Sequence, residues 1–273
     1  MPEVLERLRA RLLVVGRILR TTAGPRAAWR AMRVAVQGRG ADSSPEQAVA
    51  IPMRALGGEP IWVRPRSSDL ANAIAYYVES EHRPPPGVEN PSTIVELGSN
   101  CGVALTALAH EYPNARLLGA EPDPGNVEMA QRNVARFGGR AEVVQAAIWD
   151  ETTELTVDRS SPFGEHGFSV RPSAPDDPPE WPRLNGTTVD DLFAAHLDPA
   201  QVVDYMHMTI EGTEPRVLAA GGAWPERVRS IKVELQIEIG FGADECVAAL
   251  EALGYRAWIL DYPPLTFGVG VRE

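Results

Sequence analysis

Two glycines and an acid set the first chemistry. Gly98-Ser99-Asn100-Cys101-Gly102 follows the short apolar run TIVEL, and Glu121 ends the next such run nineteen residues after Gly102. A glycine turn after a strand lets backbone approach a ligand closely, and an acid at the end of the neighbouring strand can hold both hydroxyls of a ribose. The pattern asks for a nucleoside-containing cofactor. A dinucleotide would need a glycine where Asn100 stands, and Glu96 places a carboxylate two residues before Gly98. Both features disfavour a diphosphate and suit S-adenosylmethionine, which carries no phosphate and whose cationic groups tolerate nearby carboxylates and carbonyls. The alternative cofactor is a nicotinamide dinucleotide, which would make the chain an oxidoreductase.

A second set of residues points to an acceptor. In QVVDYMHMTIEG, strand alternation puts His207, Thr209 and Glu211 on one face and Met206, Met208 and Ile210 on the other. A central parallel strand is normally apolar on both faces, so three polar residues on one face suggest function. Glu211 and Thr209, near the carboxyl end, are expected beside the cofactor and the incoming acceptor, with His207 deeper. Glu234 ends the neighbouring run RSIKVEL, and His166 stands in SPFGEHGFSV. His166, Glu211 and Glu234, in that order, are the candidate bases, since a histidine titrates near neutrality. Glu211 and Glu234 could also hold magnesium, but Thr209 occupies the place of a third carboxylate, so no metal site is assigned. Cys101 is expected to pack under the cofactor as a small residue.

Elements must hold these groups in place. Residues 93–150 read as strand, turn, helix, strand, helix and strand, the second helix PGNVEMAQRNVARFGG opening on a proline and closing on a glycine pair. RSIKVEL supplies a fifth parallel strand, and RAWILDY with LTFGVGVR forms a C-terminal hairpin through Pro263-Pro264. The fold class is α/β, a Rossmann-like sheet of parallel strands with that antiparallel hairpin, preceded by a helical extension. Residues 1–45 form the basic extension and linker, and residues 46–273 the main domain. Within it lie a cap region (46–92), the cofactor half (93–150), a proline-rich loop over the acceptor site (159–186) and a second half (187–273). IPMRALGGEPIWVRP reads as a small hairpin, and SSDLANAIAYYVESE as a helix capped by Ser67 or Ser68 with Asp69 in its first turn.

Composition bounds the partners. The net charge is −11, yet residues 1–40 hold nine arginines against Glu3 and Glu6, so the remainder is strongly acidic and nucleic acid is excluded as a partner. Two cysteines give no disulfide framework, and a cytoplasmic setting is expected. No apolar run reaches the roughly 20 residues that cross a bilayer. VLERLRARLLVVGRILR and PRAAWRAMRVAV read as two basic helices. They either pack on the body or on another copy, giving a homo-oligomer, or lie on an anionic membrane through residues 4–35.

The runs VELGSNCG, AEPDPGN, QAAIWD, MTIEGTEPRVL and IKVEL resemble the FkbM family of S-adenosylmethionine-dependent methyltransferases over roughly residues 46–270. The resemblance implies a class I methyltransferase fold and O-methylation of a sugar, glycan or glycosylated natural product. It places Glu96, Gly98, Ser99, Asn100, Gly102, Glu121, Pro122, Ala147 and Ile148 around the cofactor. The run R-P-R-S-S-D-L also resembles the family, in a segment that lids the cofactor, which adds Asp69 and Arg66. His207 and Thr209 stand where the family usually has lysine and aspartate, while Glu211, Gly212 and Glu214 match. That departure keeps a non-catalytic, cofactor-binding scaffold as a further alternative.

Overall fold

The computed structural model describes residues 2–38, 43–262 and 265–272, with side chains from residue 12 onward except at 262. Two helices, α1 (Pro2–Thr21) and α2 (Pro25–Ala35), precede a hairpin of β1 (Val49–Pro52) and β2 (Pro60–Val63), and α3 (Asp69–Glu79) follows. The cofactor half comprises β3 (Thr93–Leu97), α4 (Val103–Glu111), β4 (Arg116–Glu121), α5 (Pro124–Val134) and β5 (Ala141–Gln145). Then come β6 (Ala147–Ile148), β7 (Glu154–Asp158), β8 (Ser169–Pro172), β9 (Arg183–Thr187) and α6 (Val189–His196). The chain ends with β10 (Tyr205–Met208), α7 (Glu214–Ala220), α8 (Trp224–Arg227), β11 (Ser230–Glu234), α9 (Ala243–Ala252), β12 (Arg256–Tyr262) and β13 (Leu265–Val271).

The main sheet has seven strands in the order β12-β13-β11-β10-β3-β4-β5. Strands β11 through β5 run parallel, and β13 is antiparallel to both β11 and β12. This is an α/β, Rossmann-like sheet of parallel strands with the closing antiparallel hairpin that its sequence leads one to expect. The Pro263-Pro264 turn and the linker stretch 39–42 lie outside the described residues.

Alternation along the strands divides the core into layers. Val95, Leu97, Met206, Met208, Ile231 and Val233 pack with Phe193, Leu218, Trp224 and Leu250 on one face, and Ile94, Leu117, Val143 and Tyr205 pack with Leu105, Leu108 and Val134 on the other. Each fully buried side chain of this size contributes about 1.5–3 kcal/mol. A third cluster joins Ile18, Ala28 and Ala31 of the N-terminal helices to the β1–β2 hairpin, α3 and Met129. The extension is thus anchored from Ile18 onward, while Leu12, Leu13, Val14 and Val15 are all exposed.

One expectation needs correction. Residues 159–186 are not a single loop: β8 pairs with β7, and β9 pairs with β7 and β6, making a four-stranded accessory sheet. Its buried Leu155, Val157 and Val170 pack on Trp149, and Asp177 accepts from Thr156 Oγ1 (2.6 Å) and the Ala174 N–H (2.8 Å) while pairing with Arg171. Prolines 172, 175, 178, 179 and 182 fall at strand ends and turns, where no ladder donor is needed.

The tightest backbone approach lies at Gly98. Its φ is +88°, and a Cβ there would sit 1.8 Å from the Thr209 carbonyl oxygen. Two strand ends can converge on the cleft only because that atom is missing. Gly98→Ala is therefore expected to destabilise the fold by about 3 kcal/mol or more, read as a lower midpoint in urea unfolding; an unchanged midpoint would contradict this packing.

Candidate active site

The carboxyl ends of β3, β4, β10 and β11 open into a cleft of about 520 Å³. Its walls include Gly98, Asn100, Glu121, Pro122, Ala146, Ile148, Thr209, Glu211 and Glu234. Glu121 is only 5% exposed, and its carboxylate accepts from the Asn100 N–H (2.8 Å), the Asp123 N–H (3.0 Å) and Asn126 Nδ2 (3.2 Å). Asp123 caps α5 by accepting from the N–H groups of Gly125 and Asn126, which places the Asn126 side chain under Glu121. The Asn126 Oδ1 accepts from Arg64 Nη2 (2.7 Å), and Arg64 makes a buried bidentate pair with Asp69 (2.7 and 2.8 Å). A chain of charge-assisted contacts thus runs from α3 to the acid at the end of β4.

The segment around Glu165 closes one side. Its carbonyl accepts from Asn100 Nδ2 (2.9 Å) and Asn126 Nδ2 (3.1 Å), and its carboxylate accepts from the N–H and Oγ of Ser68. These bonds bring Phe163, His166 and Phe168 to the cleft wall. Opposite them the chain turns out of β10 with Glu211 in a left-handed conformation (φ +52°). Glu214 fixes that turn by accepting from the Ile210 N–H (2.7 Å) and the Gly212 N–H (2.8 Å).

Electrostatically the cleft is one-sided. Glu79, Glu81, Glu121, Glu165, Glu211, Glu234 and Glu238 line it, and among the described residues no lysine or arginine does. Burial pushes the Glu211 carboxyl up to about 9, helped by repulsion from Glu234, Glu214 and Glu121. Burial likewise lifts Glu234 to about 8, with Glu214, Glu81 and Glu238 adding to it, and Glu121 to about 7 against the bonds that it accepts.

The sequence-derived residues divide into two groups. Gly98, Asn100, Glu121, Pro122, Ile148, Thr209, Glu211, Glu234 and His166 meet at the cleft. Glu96, Ser99, Gly102, Ala147, His207, Asp69 and Arg66 are not on its walls. Glu96 and His207 face each other inside the sheet (Nδ1 to carboxylate, 3.5 Å), both nearly fully buried, because their positions on β3 and β10 are in register behind the strand ends. His207 lacks a hydrogen bond on either ring nitrogen, and burial holds its pKa well below the ordinary histidine value. Ser99 turns back to the Glu96 carbonyl, Gly102 makes room for Ala130 of α5, and Ala147 faces the accessory sheet while its neighbours Ala146 and Ile148 face the cleft. Asp69 is enclosed by Arg64, and Arg66 is exposed with a φ of +65°. Ser67, not Ser68, accepts from the Asp69 N–H, while Ser68 serves the Glu165 segment.

Sequence reasoning missed Asn72, Tyr76, Glu81, Asn126 and Glu165. The spacing of Asp123 and Asn126 at a helix start was a readable signal for the acid's second support. Glu165 had no local signal, since its partners lie about 40 to 120 residues away in sequence.

No protein-family model matches the chain. Over 84 residues it is 27% identical to the release factor glutamine methyltransferase of Geobacter sulfurreducens, a match covering 31% of this chain and 26% of that one. The chain thus spans about a quarter of the length of the curated relative that it matches. Among solved structures, a precorrin-6y C5,15-methyltransferase from Geobacter metallireducens aligns with a TM-score of 0.39 at 12% identity, covering 66% of this chain and 80% of that one. An O-methyltransferase family protein from Burkholderia thailandensis aligns with a TM-score of 0.44 at 10% identity, covering 76% and 60%.

The raised carboxyls fix how stability depends on pH. A glutamate whose folded pKa lies above its unfolded value of 4.5 favours folding fully below that value and loses the contribution as pH rises through the folded pKa. For Glu211 the window runs from about 4.5 to about 9, and for Glu234 to about 8. Glu211→Gln should therefore melt about 2–4 °C above the parent chain at pH 9, with the gap closing near pH 5. A gap that stays constant with pH in thermal unfolding would contradict the burial of this carboxylate.

Proposed function

We propose that the chain is an S-adenosylmethionine-dependent methyltransferase acting on a hydroxyl of a sugar, glycan or glycosylated natural product. The observation that carries this reading is the Glu121 carboxylate, held by three donors at the end of β4 in the same cleft as the Gly98 turn. A carboxylate has about four acceptor sites, so with three donors in place capacity remains for a ribose hydroxyl. Ala146, Ile148, Pro122 and Phe168 offer apolar surface for a nucleobase, and the surplus of carboxylates suits a cationic cofactor. The hydroxyl acceptor rests on the resemblance to the FkbM family.

When bound, S-adenosylmethionine supplies a methyl group on a sulfonium, which an acceptor oxygen can displace in line. Most of the rate must come from holding that oxygen in place. Glu211 and Glu234, at the carboxyl ends of adjacent strands, and His166, across the cleft, are the groups that can take the acceptor proton, a contribution of roughly 10² to 10⁴-fold. Burial makes Glu211 and Glu234 stronger bases than exposed carboxylates but confines that role to their ionised fraction, which grows toward pH 9, whereas a histidine is available near neutrality.

S-adenosylhomocysteine should raise the melting temperature by several degrees and NAD should not, with the shift lost or strongly reduced in Glu121→Ala. A shift from NAD alone would move the chain to the oxidoreductases. Because Glu211 and Glu234 ionise at about 9 and 8, affinity for the sulfonium form relative to S-adenosylhomocysteine should grow from pH 6 to pH 9. Calorimetric titration at both pH values measures that ratio, and a flat ratio would remove these carboxylates from the cofactor's surroundings.

A further inference from the structure

We propose that the acceptor carries a protonated amine, seated among Glu81, Glu234 and Glu211. The inference rests on the methyltransferase reading and narrows its substrate class. Of the seven carboxylates on the cleft wall, three already have work. Glu121 is held by three donors, Glu165 is bound by Ser68, and Glu79 pairs with Arg17 at 3.3 Å. Glu81 differs: it is 3% exposed, lines the cleft, and its Oε2 has no hydrogen-bond partner. A buried carboxylate oxygen without a donor is costly and calls for one from a ligand. Lys232 acts on the Glu81 carboxylate through its charge while its Nζ donates to the backbone carbonyls of Glu81 and Arg83, and Oε2 is left without a donor.

Charge counting favours one more cation. Of the four carboxylates left, Glu238 is exposed to water, and Glu81, Glu211 and Glu234 face the Lys232 ammonium beside Glu81 and the net charge of +1 of S-adenosylmethionine, which carries a sulfonium, an ammonium and a carboxylate. One ammonium on the acceptor would offset a further negative charge and supply up to three donors. Phe163 and Ile237 are exposed on the cleft wall, where they can take the apolar part of an amine-bearing acceptor.

The test uses matched pairs differing in one group: cyclohexylamine against cyclohexanol, and methyl glucosaminide against methyl glucoside. Each is titrated calorimetrically at pH 8 into the full chain, with and without S-adenosylhomocysteine. The amine of at least one pair should bind about tenfold or more tightly than its alcohol, and Glu81→Gln and Glu234→Gln should each cut that preference at least about threefold. Equal binding within both pairs, no detectable binding of any probe, or a preference that both variants retain would overturn the proposal. Stabilisation by magnesium alone that Glu81→Gln abolishes would assign the carboxylates to a metal and overturn it too. Absence of a response to S-adenosylhomocysteine would strike the methyltransferase reading instead, and the titration without it keeps the two failures apart.

A different surface carries a second inference: we propose that α1 and α2 dock on an anionic lipid surface. Of eleven large apolar side chains that stand exposed among the described residues, seven lie here, namely Leu12, Leu13, Val14, Val15 and Leu19 of α1, Trp29 of α2 and Val36 just after it. Interleaved with them are the exposed Arg17, Arg20, Arg26, Arg30 and Arg33, and residues 12–38 contain no acid. Exposed apolar side chains among arginines match a negatively charged interface. A second copy docking helix to helix would instead bring arginines against arginines.

The full chain should float with vesicles of phosphatidylglycerol and phosphatidylcholine but not with phosphatidylcholine alone, and added salt should weaken the partition. Leu12→Asp with Leu19→Asp, both at exposed positions, should lower it about tenfold or more. Failure to float, or flotation that the double variant retains, would overturn the proposal. So would a dimer in sedimentation that this variant dissolves, since the helices would then belong to a second copy.

Discussion

The cost of holding negative charge away from water shapes this molecule around its cleft. Glu81, Glu121, Glu211, Glu214 and Glu234 all sit where burial favours the protonated form, and the fold answers each differently. Glu121 and Glu214 receive backbone N–H donors, so their carboxylates become struts for the turns after β4 and β10. The other three receive little from the protein and remain available to a ligand. Glu214 is thereby scaffold alone, whereas Glu121, on the cleft wall, is both strut and ligand-facing acid.

Behind the cleft a second polar layer serves a mechanical purpose. Glu96, His207 and Lys232 lie side by side across β3, β10 and β11, beneath residues 81–83. Lys232 donates to the Glu81 and Arg83 carbonyls, and the Tyr205 hydroxyl donates to that of His82 (3.1 Å). Phe267 lies under the ammonium at 4.9 Å. These bonds strap the end of α3 to the sheet and set the position of Tyr76 and Glu81 on the cleft wall.

Much of the fold was legible because local signals agreed. The apolar runs, the proline and glycine at the ends of α5 and the closing hairpin all pointed to one topology. The acid of β4 and the carboxyl-end residues Thr209, Glu211 and Glu234 were legible for the same reason, since parallel strands deliver their last residues to one edge. What failed was facing. Ala147 lies between two cleft residues but on the opposite side of a pleat, and Glu96 sits one step too deep, level with His207, whose greater depth the strand alternation did give. Asp69 reaches Glu121 only through Arg64 and Asn126, a relay that no local pattern encodes. The accessory sheet was hidden because its pairing is non-local and its prolines read as loop.

Lys232 is the sole lysine of the sequence and is fully buried under the strap of residues 81–83. Burial lowers its pKa to about 8 while the strap is closed, and an opening that admits water returns the amine toward the ordinary lysine range, so its acylation needs both the opening and a mildly alkaline solution. Lysine-directed acylation of the folded chain therefore has one target, reachable only through an opening of the wall beside Glu81. The extent of modification at that position would serve as a built-in clock for breathing of the cleft, separate from global unfolding.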